Sequence, residues 1–194
     1  MEKIYQYIKD HATEPSEALA WVEKQTHIGT NHGRMLSGKL QGELLRIIVQ
    51  TSGAKRILEL GTFTGYSGLC LAEGLIAPDG ELHTIEIDDE LEDFIRSHFE
   101  ASAFADRIHL HIGDAREILP SLGKTFDLVF MDANKREYCE YYDLVFDMVR
   151  SGGLILADNV IWDGKVCQEP LPQDKQTLSI VRFNDMVSKD RRVE

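Results

Sequence analysis

Short uninterrupted apolar runs alternate with amphipathic stretches along most of this chain. Each apolar run predicts a strand of a parallel sheet that is covered on both faces. The predicted strands are 55–60, 81–87, 107–112, 126–131 and 154–157. The predicted helices between and after them are 67–77, one that begins after Asp88, one that ends at Leu119, 135–150 and 176–187, with a loop at 160–174 before the last. This alternation predicts a doubly wound α/β domain with a mostly parallel sheet.

The segment before the first strand is predicted to be mainly helical. Residues 1–25 predict two short helices that are separated near Pro15, with Ser16 as the N-cap of the second. The polar segment 26–34 predicts a loop, and 35–51 predicts a longer amphipathic helix. The apolar stripes of the first two helices lie outside the sheet, so they can form core, a lid over a site or a subunit interface. We predict a homodimer.

Composition limits the class of protein. The 194 residues suit one domain, predicted to span 1–194, and 43% hydrophobic with 28% charged residues is ordinary for a globular chain. A net charge of −12 opposes broad binding to nucleic-acid backbones. No apolar run is long enough for a membrane span, and the N-terminus lacks a signal-peptide pattern. The three cysteines have no paired spacing, which predicts free thiols in the cytoplasm.

Oxygen ligands follow the last two predicted strands. Asp132 comes directly after the fourth strand, and Asp158 with Asn159 comes after the fifth. Parallel neighbouring strands end at the same edge of a sheet, so these side chains are expected to converge near Lys135. Two carboxylates and an amide oxygen suit a hard divalent cation, Mg²⁺ or alternatively Ca²⁺ or Mn²⁺. The alternative is that these acids are ordinary loop or helix-capping residues.

A glycine-bearing turn follows the first strand. The motif runs from Glu59 through Gly61 to Gly65 and opens directly into a helix, whose N-terminus is electropositive. Phe63 stands where a dinucleotide-binding motif has its second glycine, which favours a smaller nucleoside ligand over a pyrophosphate. Glu86 ends the next strand, where an acid can bind both hydroxyls of a ribose. Gly113-Asp114-Ala115 follows the third strand, where an adenine could stack, or it is a plain turn.

These motifs together resemble class I S-adenosylmethionine-dependent methyltransferases, and within them the metal-dependent catechol and caffeoyl-CoA O-methyltransferase family in its bacterial branch. The resemblance runs from about residue 16 to the end. It rests on the segments Glu59–Ser67, Glu86–Asp88, Gly113–Ala115, Asp132–Lys135 with Tyr138, Tyr141 and Tyr142, and Gly152–Gly164. The family's sheet ends with an antiparallel strand pair after the last helix. This sequence stops where the first of those strands would begin, so the pair is expected to be incomplete.

The resemblance implies a role for each site residue. It places at the cofactor Glu59, Gly61, Phe63, Gly65, Ser67, Glu86, Asp114, Ala115 and Asp132. It implies Asp132, Asp158 and Asn159 as metal ligands, and Lys135 as the general base beside Asp132. The implied reaction is methylation of one hydroxyl of a vicinal-dihydroxy aromatic molecule, with S-adenosylmethionine as methyl donor. The alternatives are a hydroxyuridine methyltransferase acting on tRNA and a cofactor-binding protein without catalysis.

Several histidines and one tryptophan have open interpretations. His109 and His111 alternate along the third strand and are expected to share one face, but no nearby ligand in the sequence completes a zinc set, so ordinary packing is expected. His27 and His32 lie in the loop before the third helix and could contact substrate. Trp162 follows the acidic pair and could stack on an aromatic substrate or simply pack.

Overall fold

A parallel five-stranded sheet forms the centre of the protein in the computed structural model, which describes residues 2–169 and 173–194. The strands are β1 Arg56–Leu60, β2 Glu81–Glu86, β3 Ile108–Ile112, β4 Phe126–Met131 and β5 Val149–Ala157. Their order is β3-β2-β1-β4-β5, and every adjacent pair is parallel. The chain extends from β1 first in one direction and then in the other, so the order reverses between β1 and β4. Ligands of open α/β sheets bind at such a reversal, beyond the carboxyl ends of the strands.

Helices cover both faces of this sheet, as predicted. They are α1 Glu2–His11, α2 Glu17–Gly29, α3 Gly38–Ser52, α4 Tyr66–Gly74, α5 Glu92–Glu100, α6 Ala115–Leu122, α7 Tyr138–Phe146 and α8 Lys175–Val187. One apolar cluster joins the sheet to α6, α7 and α8, including Leu58, Val129 and Tyr138. Two further clusters join the other face to α2, α3, α4 and α5. The doubly wound fold is therefore confirmed.

The first helices differ in part from the prediction. Ser16 caps α2 as expected, since its hydroxyl accepts a hydrogen bond from the Leu19 amide at 3.2 Å. Helix α2 nevertheless continues through 26–29, which was predicted to be loop. Thr26 is fully buried there, and its hydroxyl donates to the Val22 carbonyl and lies 2.8 Å from the Thr64 hydroxyl. Tertiary packing of a polar residue thus extends the helix into a segment whose polarity predicted a loop.

The last strand begins earlier than predicted. Helix α7 ends at Phe146, and residues Ser151 to Gly153 lie inside β5 rather than closing the helix. The pairing of β5 with β4 is irregular between Phe126 and Leu128, and Gly152 there has a φ of +74°. Consecutive glycines can therefore mark the irregular start of a strand as well as the end of a helix.

Some predictions concern parts of the chain outside the sheet. The apolar side chains Ile4, Tyr7 and Ile8 of α1 are exposed, so α1 is not part of the core, and the homodimer stays a prediction. The predicted loop 160–174 contains a short 3-10 segment, Trp162–Cys167. Residues 170–172 of this loop lie outside the described part of the chain, as does residue 1. After α8 the described residues contain no strand. None of the described helices is long and apolar enough to cross a membrane.

Candidate active site

A cavity of about 1190 Å³ opens at the carboxyl ends of the strands. Most of the residues predicted for a site line it: Gly61, Phe63, Ser67, Glu86, Ala115, Asp132, Lys135, Asp158 and Asn159. They come from the ends of all five strands or from the turns that follow, which is why residues so far apart in sequence meet here. The convergence of Asp132 with Asp158 is thus confirmed.

The backbone fixes the two acids beside each other. Met131 pairs with Ala157 in the sheet, so Asp132 and Asp158 occupy the same level one residue beyond. The Asp132 amide donates to the Leu60 carbonyl at 2.8 Å, and the Asp158 amide donates to the Met131 carbonyl at 3.0 Å. Asn159 has a φ of +58°, a conformation that asparagine tolerates. Its backbone amide donates to Asp158 Oδ1 at 2.8 Å.

Lys135 lies at the mouth of the same pair. Its side chain is almost fully buried, and its Nζ donates to Asp132 Oδ1 and, at 2.7 Å, to the Tyr138 hydroxyl. That hydroxyl lies 2.9 Å from the Met131 carbonyl oxygen and 3.1 Å from that of Asp158. Tyr138 therefore ties the lysine to the ends of both strands. In the sequence, Tyr138 was only one of the residues that carry the family resemblance; this anchoring role was missed.

The electrostatics of the pair are unfavourable to two bare carboxylates. Burial raises the pKa of Asp132 to about 6; the Lys135 ammonium opposes this rise, whereas the neighbouring Asp158 adds to it. Like charges in a partly desolvated pair resist simultaneous ionisation, and a cation removes that resistance. The donor set and its charge therefore fit a divalent cation bound by oxygen atoms.

The carboxylate of Glu86 is held by the backbone. One oxygen, Oε2, accepts from the Phe63 amide at 2.7 Å, and the other, Oε1, accepts from the Asp88 amide at 3.0 Å. A carboxylate oxygen has more than one lone pair, so both oxygens can accept a further hydrogen bond from a ligand. The side chain is thus oriented in the cavity before any ligand arrives.

The two glycines of the β1–α4 turn have packing reasons. Gly61 has a φ of +94°, and a Cβ there would lie 2.6 Å from the Asp132 carbonyl oxygen. Gly65 has a φ of +88° and precedes α4, and a Cβ there would lie 2.7 Å from the Phe99 ring. Gly61 thus lets the ends of β1 and β4 approach each other, so the cavity residues that follow these two strands lie close together.

Three residues predicted for the cofactor do not line the cavity. Glu59 is fully buried behind the wall, where its Oε2 accepts from the Thr84 hydroxyl at 2.6 Å, and burial raises its pKa to about 8. Gly65 lies at the start of α4. Asp114 caps α6 through the Arg116 amide at 2.8 Å and forms an ion pair with the Arg116 guanidinium.

Several lining residues come from segments with no site motif. His32, Met35 and Gln41 reach the cavity from around the start of α3, whereas the His27 ring packs against Gly33. Trp162 lines the cavity beyond Asn159, with a φ of +47°. The sequence offered a signal only for His32 and Trp162, because the other side chains are ordinary for a helix and its entry.

The sheet order and the strand-end cavity are those of a Rossmann-like fold, which solved class I methyltransferases share. The chain belongs to the O-methyltransferase family, whose model matches residues 9–194. It is 35% identical over 158 residues to a catechol O-methyltransferase of Niastella koreensis, covering 79% of this chain and 71% of that protein. It is 31% identical over 210 residues to caffeoyl-CoA O-methyltransferase 1 of Zea mays, covering 100% of this chain and 79% of that protein.

Solved structures agree with this assignment. The O-methyltransferase TomG from Streptomyces achromogenes, in complex with SAM, superposes with a TM-score of 0.89 at 32% identity, covering 97% of this chain and 85% of that one. An O-methyltransferase from Bacillus cereus, in complex with SAH, gives 0.90 at 29% identity, covering 99% and 88%. The predicted class, an S-adenosylmethionine-dependent O-methyltransferase, is confirmed.

Proposed function

We propose that this enzyme methylates one hydroxyl of a vicinal-dihydroxy aromatic molecule with the help of a divalent cation. The observation that carries the proposal is the joint placement of Asp132, Asp158, Asn159 and Lys135 at one wall of the cavity. The similarity to a catechol O-methyltransferase and to a caffeoyl-CoA O-methyltransferase supports this substrate class.

The cofactor is proposed to occupy the part of the cavity at the ends of β1, β2 and β3. S-adenosylmethionine supplies an electrophilic methyl group when it is bound. Glu86, already oriented by two backbone amides, would accept hydrogen bonds from the ribose hydroxyls. Ala115 is small and lines the cavity after β3, where an adenine fits. Relatives in complex with SAM and SAH support a nucleoside ligand of this size.

The divalent cation is proposed to bind at the ends of β4 and β5. Asp132, Asp158 and Asn159 would hold it through oxygen atoms, with Mg²⁺ as the first candidate and Ca²⁺ or Mn²⁺ as alternatives. A cation bound there supplies Lewis acidity, which stabilises an ionised phenol of ordinary pKa ~10. Trp162, at the same wall, is proposed to contact the flat face of the aromatic ring.

Lys135 is proposed to remove the hydroxyl proton. Its Nζ is fixed by Asp132 and by the Tyr138 hydroxyl at 2.7 Å, so the proton acceptor needs little reorganisation. Burial of the lysine side chain also keeps bulk water away from the reacting oxygen. A neutral amine at this position would accept the hydroxyl proton, and Asp132 would stabilise the ammonium that forms.

The test is incubation of the purified chain with methyl-labelled S-adenosylmethionine and a panel of catechols, caffeoyl esters and monophenols. Label should be transferred to the vicinal diols and not to the monophenols, and transfer should stop in excess EDTA and resume with Mg²⁺. A parallel incubation with bulk tRNA tests the alternative substrate class. Full turnover in EDTA would remove the cation from the proposal, and labelling of tRNA with no labelling of diols would replace the substrate.

A further inference from the structure

A second group of potential metal ligands lies at the opposite end of the sheet. Glu81, His83 and His109 each offer one ligand atom, and these atoms all lie within 4.8 Å of one another. Glu81 and His83 are two residues apart on β2, and His83 pairs with His109 across to β3, so all three side chains project from one face. Glu81 begins the strand that Glu86 ends, so roughly 10–16 Å of strand separate this group from Glu86 at the cavity.

His83 is buried, and one of its two ring nitrogens lacks a hydrogen bond among the described residues. The residue is 4% exposed, and within 2–169 and 173–194 its Nε2 has no hydrogen-bond partner. Its Nδ1 lies 2.9 Å from His111 Nε2. If Nδ1 donates to His111, the lone pair of Nε2 points into the group, an arrangement that metal-binding histidines use to fix their tautomer.

The other two ligands complete the set from the solvent side. His109 Nε2 lies 3.4 Å from Glu81 Oε2, and the His109 side chain is 44% exposed, which leaves a path for an ion. The rings of His83 and His109 stack with centroids 4.6 Å apart. Arg56 and Lys124 both bind Glu81 through its other oxygen, Oε1, at 2.6 and 2.8 Å. The other oxygen, Oε2, takes no part in these two contacts and lies near His109, whereas His83 Nε2 lies 3.6 Å from Oε1.

We propose that Glu81, His83 and His109 bind Zn²⁺ or a chemically similar divalent transition-metal ion. Two imidazole nitrogens and one carboxylate oxygen are typical zinc ligands, and water can fill the fourth position. The two imidazoles disfavour Mg²⁺, which binds through oxygen ligands. From the sequence, ordinary packing was expected for His109 and His111; strand pairing and the fold bring His83 and Glu81 beside His109. Zinc here cross-links β2 to the edge strand β3, so it stabilises the fold.

The test is zinc binding to the full chain in excess Mg²⁺, which competes with zinc for the acidic wall of the cavity. Calorimetry should give one Zn²⁺ per chain, and Co²⁺ in its place should give the strong visible absorption of a tetrahedral ion. His109→Ala, chosen because His109 is exposed and its loss spares the core, should weaken zinc binding by about 10–100-fold or more. It should leave methyl transfer unchanged and should remove the rise in Tm that zinc gives the unaltered chain.

Two controls make the outcome decisive. His11→Ala removes an exposed histidine of α1 and should bind zinc like the unaltered chain. Asp158→Ala removes a carboxylate from the cavity and should also keep its zinc. Equal zinc affinity in His109→Ala and the unaltered chain would overturn the proposal. Zinc binding that disappears in Asp158→Ala, or that Mg²⁺ abolishes, would overturn it as well.

Discussion

At the end of β2 the Glu86 carboxylate is fixed by two backbone amides, whereas at the end of β4 the Asp132 carboxylate is held by the Lys135 ammonium. The first arrangement is set by the fold itself. The second depends on side-chain charges, and it includes a neighbouring acid that raises the pKa of Asp132. The part of the cavity proposed for the nucleoside is therefore organised in advance, while the part proposed for the cation becomes complete only when charge is balanced. Substitutions in the two parts should fail in different ways.

The largest effect is expected for Asp158→Ala. Removing one of two carboxylates should abolish metal-dependent methyl transfer, because a bound cation contributes several kcal/mol to stabilising the reacting oxygen. The folded state should survive, since Asp158 lies at a cavity wall and is only partly buried. Turnover, Mg²⁺ affinity and Tm are the measurements.

The matched control is Asp163→Asn, which removes a carboxylate from the exposed rim of the same cavity while tolerating its φ of +53°. It should retain most activity. If the two variants lose activity equally, the general negative charge of the cavity matters rather than a ligand set.

Lys135→Ala should have the next largest effect on activity. Loss of a general base typically costs about 10²–10⁴ in rate, and cofactor affinity should change little because Lys135 acts in the transition state. The defect should shrink as pH rises towards the pKa of the phenol, since solvent then supplies the ionised substrate. A pH–rate profile at saturating Mg²⁺ and cofactor measures this.

Arg136→Ala is the control, because Arg136 is the exposed neighbour of the buried lysine. A Lys135→Ala enzyme with a near-normal rate at neutral pH would remove the lysine from the mechanism. A defect that saturating Mg²⁺ repairs would assign Lys135 to charge balance beside Asp132 instead.

Glu86→Ala tests the other part of the cavity. Losing hydrogen bonds between a carboxylate and a ribose should cost about 1.5–3 kcal/mol, roughly tenfold or more in cofactor affinity. Mg²⁺ binding should be unaltered, because Asp132 and Asp158 stand on other strands. Calorimetric titration with S-adenosylmethionine measures the change, with Asp89→Asn on the following exposed turn as control. An unchanged affinity would mean that the end of β2 does not bind the ribose.

These contrasts show what local sequence could and could not predict. The apolar runs and the acids that follow them predicted the strands and the meeting of Asp132 with Asp158, because parallel strands share their carboxyl edge. The meeting of Glu81, His83 and His109 was missed, since His83 and His109 become neighbours only through strand pairing. Glu59 was predicted at the cofactor because of its motif, and the sequence could not show that its side chain is buried behind the cavity wall. The glycines before β5 indicated a helix end and instead accompany an irregular strand pairing.

The remaining prediction concerns stability rather than activity, and it involves Glu59, the buried acid behind the cavity wall. Burial raises its pKa from 4.5 to about 8 in the folded chain. A carboxyl that is harder to ionise when folded favours the unfolded state once pH exceeds its unfolded pKa. Its contribution to stability is therefore complete below about pH 4.5 and falls until about pH 8. Asp132, with a pKa of about 6, acts in the same direction over a lower range.

Glu59→Gln should isolate the part of this pH dependence that comes from Glu59, because the amide has nearly the same shape and does not ionise. Measured without cofactor and in EDTA, the Tm of the unaltered chain should fall between about pH 6 and about pH 8, and the variant should fall less. Each kcal/mol corresponds to about 2–4 °C in a chain of this size.

The slope of Tm against pH is the informative quantity, since the added amide hydrogens lower Tm at every pH if they find no acceptor. Glu117→Gln, at an exposed position of α6, should reproduce the unaltered slope. Parallel curves for Glu59→Gln and the unaltered chain would mean that Glu59 is ionised inside the fold. The hydroxyls of Thr84, at 2.6 Å, and of Ser67 would then have to stabilise a buried negative charge.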